Sequence, residues 1–246
     1  MKYSEHCYAI TGLAFIPPWA VNAGFITGAK QTLIVDTGAN YLSAQTIFGY
    51  ATAVRPDNHF IAINTEQHFD HTGGNCFFHE KGIDIYGHFK ISRQEEDLIA
   101  TMDDFNETIP DSFRKERGEG ELLFQGTKAI NPNKRITHDM ELDLGGIQAQ
   151  VLQTPGHTPT NISVYIPTDG VLFCGDCIVN GYFPNLTEGA CGDWQQWQQS
   201  LERILHLNPE IIVPGHGAVI LRNDIEKQIH RIHDILQKTI EGRKFE

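Results

Sequence analysis

Glu66, His68, Asp70 and His71 put four side chains able to bind a metal into a stretch of six residues. Imidazole and carboxylate donors together suit zinc, iron or manganese, and such ions polarise carbonyls and activate water. Three later segments repeat one grammar, an apolar run followed by an abrupt polar turn: LQTPG-His157, LFCG-Asp176 and IIVPG-His216. Each has a plain structural reading when taken singly. His68 and His71 could be loop residues, Gly-Asp a common turn, Gly-His-Thr a helix start and Pro-Gly-His-Gly a turn after a strand. All four together outweigh that reading, because residues at strand ends converge on one sheet edge, where α/β folds place ligands.

The elements that must hold these residues alternate between strands and helices. Strands are expected at 7–15, 32–35, 59–65, 83–87, 147–154, 162–167, 171–176 and 210–217. Helices are expected over 41–54, near 193–206 and over about 222–241. Residues 88–120 are charged and roughly helical with a break at Pro110, and a solvated face is preferred there over a cap above a site. Helices interspersed among strands predict a mixed α/β protein with helices flanking sheets.

Composition removes several classes of function. Nineteen Lys plus Arg face 31 Asp plus Glu, a formal charge of -12 that argues against a nucleic-acid partner. A hydrophobic share of 40% and a charged share of 20% fit a globular chain. The longest apolar stretches are strand-length, so no membrane span is expected. Residues 1–16 make a poor export signal, since Glu5 and His6 spoil the charged start and Pro17 and Pro18 replace a small-residue cleavage site. Five cysteines are few and odd in number, which suits a reducing, cytoplasmic setting. Cys174 and Cys177 form a C-x-x-C without a second pair and read as buried thiols.

The ordered motifs Glu66-x-His68-x-Asp70-His71, His157, Asp176 and His216 resemble the metallo-β-lactamase superfamily, whose signature is H-x-H-x-D-H followed by His, Asp and His at later strand ends. The likeness runs from VDTG at 35–38 to PGHG at 214–217. It implies a four-layered αβ/βα sandwich with two metal ions at one edge. Residues 1–246 are then read as one domain, with a helical insertion at about 88–120 and a C-terminal helix at about 222–241. By motif position, Glu66, His68 and His157 would hold the first ion, Asp70, His71 and His216 the second, and Asp176 would bridge them. Asp36 in VDTG matches an acidic position that supports the metal-binding loop.

One position departs from the pattern: the family's first histidine is Glu66 here. A carboxylate can still ligate zinc, but it makes the centre more electron-rich and a weaker Lewis acid. Zinc is the default expectation, with iron and manganese as alternatives. The resemblance implies a hydrolase that cleaves an ester, lactone, thioester or amide of a small molecule with a metal-bridging hydroxide, Asp70 doubling as proton acceptor. A glyoxalase II-type enzyme is set aside because only about 30 residues follow His216. Two other classes compete: a mononuclear non-heme iron dioxygenase resembling persulfide dioxygenases, and a non-catalytic binding protein on the same fold. For the substrate pocket, Trp19, in an aromatic stretch with Phe15, Ile16 and Phe25, and Tyr182 and Phe183 are the candidates.

Overall fold

The computed structural model describes residues 1–13, 20–108, 123–187 and 189–242. Its first sheet holds six strands in chain order: β1 (Cys7–Ile10), β2 (Ala23–Thr27), β3 (Gln31–Val35), β4 (His59–Ile63), β5 (Asp84–His88) and β6 (Lys134–Ile136). The pairs β1–β2 and β2–β3 are antiparallel, whereas β3–β4, β4–β5 and β5–β6 are parallel. The second sheet holds β7 (Met140–Asp143), β8 (Gln148–Gln153), β9 (Ile162–Ile166), β10 (Val171–Phe173), β11 (Ile211–Val213) and β12 (Ile220–Leu221) in the order β12-β11-β10-β9-β8-β7. Only β10 and β11 are parallel there.

Alternation along the strands divides the apolar side chains between two layers. Leu33, Val35, Ile61 and Ile63 meet Val151, Val164, Val171, Phe173 and Val213 in the core between the sheets. Ile34, Phe60 and Ala62 point the other way, under α1 (Tyr41–Val54) and α3 (Asn75–Glu80). Leu172 and Ile212 face α5 (Cys191–Leu207) and α6 (Arg222–Ile240) on the outer side of the second sheet. Cover on both faces explains why the central strands read as unbroken apolar runs. The result is helix, sheet, sheet, helix: the four-layered αβ/βα sandwich.

Local chemistry sets the helix limits. The Asn40 side chain accepts the Ser43 amide at 2.8 Å and starts α1. In α6 the buried residues Ile225, Ile229, Ile232 and Leu236 recur at helical spacing. Between α1 and α3 lies a one-turn helix, α2 (Phe69–Thr72).

Several boundaries differ from the sequence reading. The first strand stops at Ile10 instead of 15, and the strands expected to reach 176 and 217 end at Phe173 and Val213, where backbone pairing gives way to the polar turns. The stretch expected to be helical from 88 begins its helix, α4 (Glu95–Thr108), only at Glu95. Its solvated-face reading needs correction. Leu98 and Phe105 of α4 are buried against Phe69, Leu123 and Phe124, and another set of its side chains lines a cavity, as shown below. Pro110 and the rest of the expected insertion up to 120 lie outside the described residues. Cys174 and Cys177 are buried free thiols, and burial pushes the Cys177 thiol up to about 12. Among the described residues no helix is long and apolar enough to cross a membrane.

Candidate metal centre

Sheet topology brings the polar turns together. β3 and β4 run parallel with Val35 opposite Ile63, so Asp36 and the Asn64–His71 loop leave one edge side by side. In the second sheet β8, β10 and β11 point the same way, because β9 is antiparallel to both its neighbours and β10 is parallel to β11. His157, Asp176 and His216 therefore also follow strand ends at one edge. Backbone bonds stitch the two edges to each other: Ile162 N–H donates to the Thr65 carbonyl at 2.7 Å, and Asn22 N–H donates to the Gly215 carbonyl at 2.7 Å. The Asn22 side-chain amide also donates to the carbonyls of Pro214, at 2.9 Å, and Gly217, at 2.8 Å. Gly215 allows the close approach, since a Cβ there would lie 1.9 Å from Asp176 Oδ1.

The side chains converge on one cluster. Glu66 Oε1 lies 2.8 Å from His68 Nδ1, which lies 3.3 Å from His157 Nε2. Asp70 Oδ2 lies 3.0 Å from His216 Nε2 and 3.7 Å from His71 Nε2. Asp176 sits between them, Oδ1 at 3.4 Å from His71 Nε2, and Oδ2 at 3.4 Å from His216 Nε2 and 3.8 Å from His157 Nε2. Three trios have their ligand atoms within 4.8 Å of one another: Glu66–His68–His157, Asp70–His71–His216 and Glu66–His71–Asp176.

Three imidazoles are pinned from behind. His71 Nδ1 meets Asp36 Oδ2 at 2.9 Å, His157 Nδ1 meets the Asn185 carbonyl at 3.1 Å, and His216 Nδ1 meets the Ala20 carbonyl at 3.1 Å. Each anchor fixes a tautomer and turns Nε2 inward, an arrangement found behind metal-ligating histidines. Asp36 is itself locked. It adopts a left-handed φ of 59°, and its carboxylate accepts both the Thr65 amide and the Thr65 hydroxyl at 2.7 Å.

Electrostatics and orphaned atoms both ask for a cation. His71 Nε2 and Asp176 Oδ1 are buried without a hydrogen-bond partner in the protein. Burial opposes ionisation of Asp176, but His216 and His71 outweigh it and hold the carboxyl well below its ordinary range. Burial likewise opposes ionisation of Asp70, and His71 and His216 again lower it. In Glu66 the effect of burial is outweighed by His68 and His71. Burial works against protonating His71 and His216, yet the surrounding carboxylates drive both well above the usual imidazole range. Protonated imidazoles supply the positive charge that divalent ions would otherwise bring, so the donor set fits metal.

A cavity of about 550 Å³ opens onto this cluster. His68, Asp70, His157, Asp176 and His216 form its floor, with Tyr182 and Phe183 on one side and Arg93, Asp97, Ala100, Thr101 and Asp104 on another. The Tyr182 ring lies 6.3 Å from that of His216. Trp19, with Phe15 and Ile16, lies outside the described residues, while Phe25 stacks on Tyr8 at 4.6 Å within the core under α1. The sequence reading passed over Arg93 and the carbonyls of Asn185 and Ala20, and it ranked the α4 segment as a solvated face ahead of a cap above a site. Backbone carbonyls carry no residue-type signal. Asn64 and Thr65, directly before Glu66, were visible as polar residues at the end of an apolar strand. Asn64 donates to the His71 carbonyl at 3.0 Å and so braces the loop.

Comparison with known proteins agrees with this architecture. The Metallo-beta-lactamase superfamily model matches residues 16–216, and the chain belongs to that superfamily. A Beta-lactamase-like protein 2 homolog of Drosophila melanogaster is 39% identical over 87 residues, 35% of this chain and 27% of that protein. A Hydroxyacylglutathione hydrolase of Idiomarina loihiensis is 46% identical over 77 residues, 31% of this chain and 28% of that protein. Each of these matched stretches thus spans little more than a quarter of the relative's length. The solved structure of a metallo-beta-lactamase family protein from Thermus thermophilus superposes with a TM-score of 0.70 at 21% identity, covering 96% of this chain and 81% of that one.

Proposed function

We propose that the chain is a metal-dependent hydrolase that cleaves an acyl bond, an ester, lactone, thioester or amide, in a small molecule. The observation that carries this reading is the pair of trios facing each other across Asp176, with the Nε2 atoms of His71, His157 and His216 turned inward by fixed partners. Glu66, His68 and His157 would hold one ion, Asp70, His71 and His216 the other, and Asp176 would lie between. Zinc suits this mixture of imidazole and carboxylate donors, with iron or manganese as alternatives. Two divalent ions there supply Lewis acidity and water acidic enough to attack a carbonyl at neutral pH.

The chain's own residues do the rest. Asp36 holds His71 in one tautomer through Nδ1. Asp70 faces the cavity and accepts the proton released as water attacks. Tyr182 and Phe183 form a wall against which an acyl substrate packs. A cavity of this volume takes a small molecule, and the formal charge of -12 disfavours nucleic acid. The Idiomarina relative carries the name of a hydrolase, which supports the reaction class.

The test is metal analysis of the purified chain together with turnover of an ester and thioester panel. Two zinc ions per chain, and hydrolysis abolished by chelation and restored by zinc, are expected. One iron per chain with oxygen consumption would overturn the reading in favour of a mononuclear dioxygenase.

A further inference from the structure

Arg93 is the one lysine or arginine among the described residues that line the cavity. Its backbone is clipped on both sides by a single side chain: Arg93 N–H donates to Asn131 Oδ1 at 2.7 Å, and Asn131 Nδ2 donates to the Arg93 carbonyl at 2.9 Å. The guanidinium carbon sits 5.2 Å from the ring centroid of Phe69, the residue next to Asp70. A cation over the face of a buried ring is attracted by it, which helps hold the guanidinium in place while its Nη donors stay available.

Arg93 Nε is buried without a hydrogen-bond partner in the protein, which leaves the two Nη groups as the donors that a ligand in the cavity could reach. The nearest carboxylate does not satisfy them. Asp97 Oδ2 is 3.9 Å from Nε, beyond hydrogen-bond reach, and already accepts the Gln94 amide at 2.8 Å. Asp97 is thus committed to the start of α4. Asp104, the other acid on this wall, lies seven residues on, about 10 Å further along the helix. Asp97 partly offsets the charge of Arg93 as an ion pair at 3.9 Å without taking up its donors, and Asp104 makes the far end of the wall negative. A permanently charged guanidinium with unused Nη donors, on a backbone clipped by Asn131 and beside the loop of candidate ligands, matches a carboxylate or phosphate group.

We infer that Arg93 is a specificity-determining residue that pairs with an anionic oxygen group, carboxylate or phosphate, carried by the substrate away from its scissile acyl bond. The inference rests on the hydrolase reading for the scissile bond but not for the pairing itself. The pairing orients the substrate, with its anionic end at Arg93 and the acyl carbon over the cavity floor.

The test uses the zinc-loaded full chain and its Arg93→Met and Arg93→Lys variants, with zinc content and melting temperature as fold controls. Nitrophenyl half-esters ending in a free carboxylate, a phosphate or a methyl-capped carboxylate are compared by kcat/KM. Calorimetric titration with glutarate gives a binding readout independent of turnover. The wild-type chain should prefer an anionic-ended ester over the capped one. Arg93→Met should cut that preference by about 10- to 100-fold, mainly through KM, and weaken glutarate by a similar factor. Arg93→Lys should recover part, because an ammonium cannot form the fork. Whichever anionic ester loses more in Arg93→Met identifies the group. Equal glutarate affinity in wild type and Arg93→Met, or an unchanged preference, overturns the inference. If no ester is cleaved by any form, the hydrolase reading fails by itself, and glutarate binding still decides the role of Arg93.

Discussion

Substituting Gly215 by alanine tests how tightly the two sheet edges are built around Asp176. The new Cβ would stand 1.9 Å from Asp176 Oδ1, where ordinary contact begins at 3.4 Å, so something must move by about 1.5 Å. The backbone at 215 cannot absorb the shift. Its N–H donates to the Gly175 carbonyl at 2.8 Å, and its carbonyl accepts the Asn22 amide at 2.7 Å. Asp176 must therefore swing away, and the Gly175–Asp176 backbone must yield with it, since Gly175 C and Asp176 N would lie 2.8 Å and 3.0 Å from the same Cβ. Metal–ligand distances tolerate only about 0.2 Å, and a misplacement of about 1 Å can cost about 100-fold in rate.

Gly215→Ala should accordingly lose metal and lower kcat/KM by about 100-fold or more. Crowding a packed site costs about 1–3 kcal/mol, which at this chain length corresponds to a fall of about 2–12 °C in melting temperature, so the protein stays folded. Gly192→Ala is the control, since nothing lies within 4 Å of its would-be Cβ on α5 and alanine favours a helix. Metal content by mass spectrometry, thermal melting by circular dichroism and turnover of the best ester are the measurements. A Gly215→Ala protein with full metal content and activity within about threefold of wild type would refute the reasoning, because a shift of this size lies far outside what coordination tolerates.

Asp36→Asn should keep the backbone, since asparagine tolerates the left-handed φ of 59°, yet weaken metal binding by about 10- to 100-fold by loosening His71 Nδ1; equilibrium dialysis with zinc reads this directly. Stripping metal should lower the melting temperature reversibly: at zinc a thousandfold above its Kd the gain is about 4 kcal/mol, or about 8–16 °C, in a calorimetric scan with and without chelator. Asp169 gives a pH-dependent case away from the metal cluster. Burial raises its carboxyl, but bonds from Ser4 and His6 outweigh this and hold it below the ordinary value. Its stabilisation is thus present above the unfolded pKa of about 4 and is lost as pH falls through the lower folded value. Asp169→Asn should melt below wild type at pH 7, and the gap should narrow below about pH 4 in melts across the acid range.

The parts of this molecule that could be read from the sequence share a physical cause. Strands covered on both faces are continuous apolar runs, and candidate ligands placed directly after them are conspicuous. The long helices α5 and α6 show their buried faces by spacing, as with Ile225, Ile229 and Ile232. α3 hides because Asn75, Cys76, Phe77 and Phe78 are all buried, leaving no periodicity to detect. β7 is an edge strand whose residues alternate between half-buried and exposed, a weak pattern over four residues. α4 misleads in a different way. Its acids look like a solvated face, yet Asp97 and Asp104 border the cavity, and only the burial of Leu98 and Phe105 sets that orientation. Arg93 draws its position from Asn131 and Phe69, residues distant in sequence, so no local pattern could mark it.

Glu66 and Arg93 bear on one electrostatic problem. Glu66 is fully buried, with Oε2 accepting the Gln67 amide at 2.9 Å and Oε1 lying 2.8 Å from His68 Nδ1 and 3.5 Å from His71 Nε2. One carboxylate oxygen thus reaches toward both trios, which a single imidazole nitrogen at this position would not do while serving one ion. It also changes the charge. Two divalent ions against Glu66, Asp70, Asp176 and one bridging hydroxide would leave no net charge, where an imidazole at position 66 would leave one positive charge. The proposed centre therefore attracts an anionic substrate less strongly than its histidine counterpart would. Charge-based capture and orientation fall more heavily on whatever cation lines the approach, and among the described lysines and arginines only Arg93 does. A guanidinium with unused donors beside a more electron-rich centre is thus a coherent pair: the ions would polarise the carbonyl locally, and the anchor supplies the selectivity for a charged end.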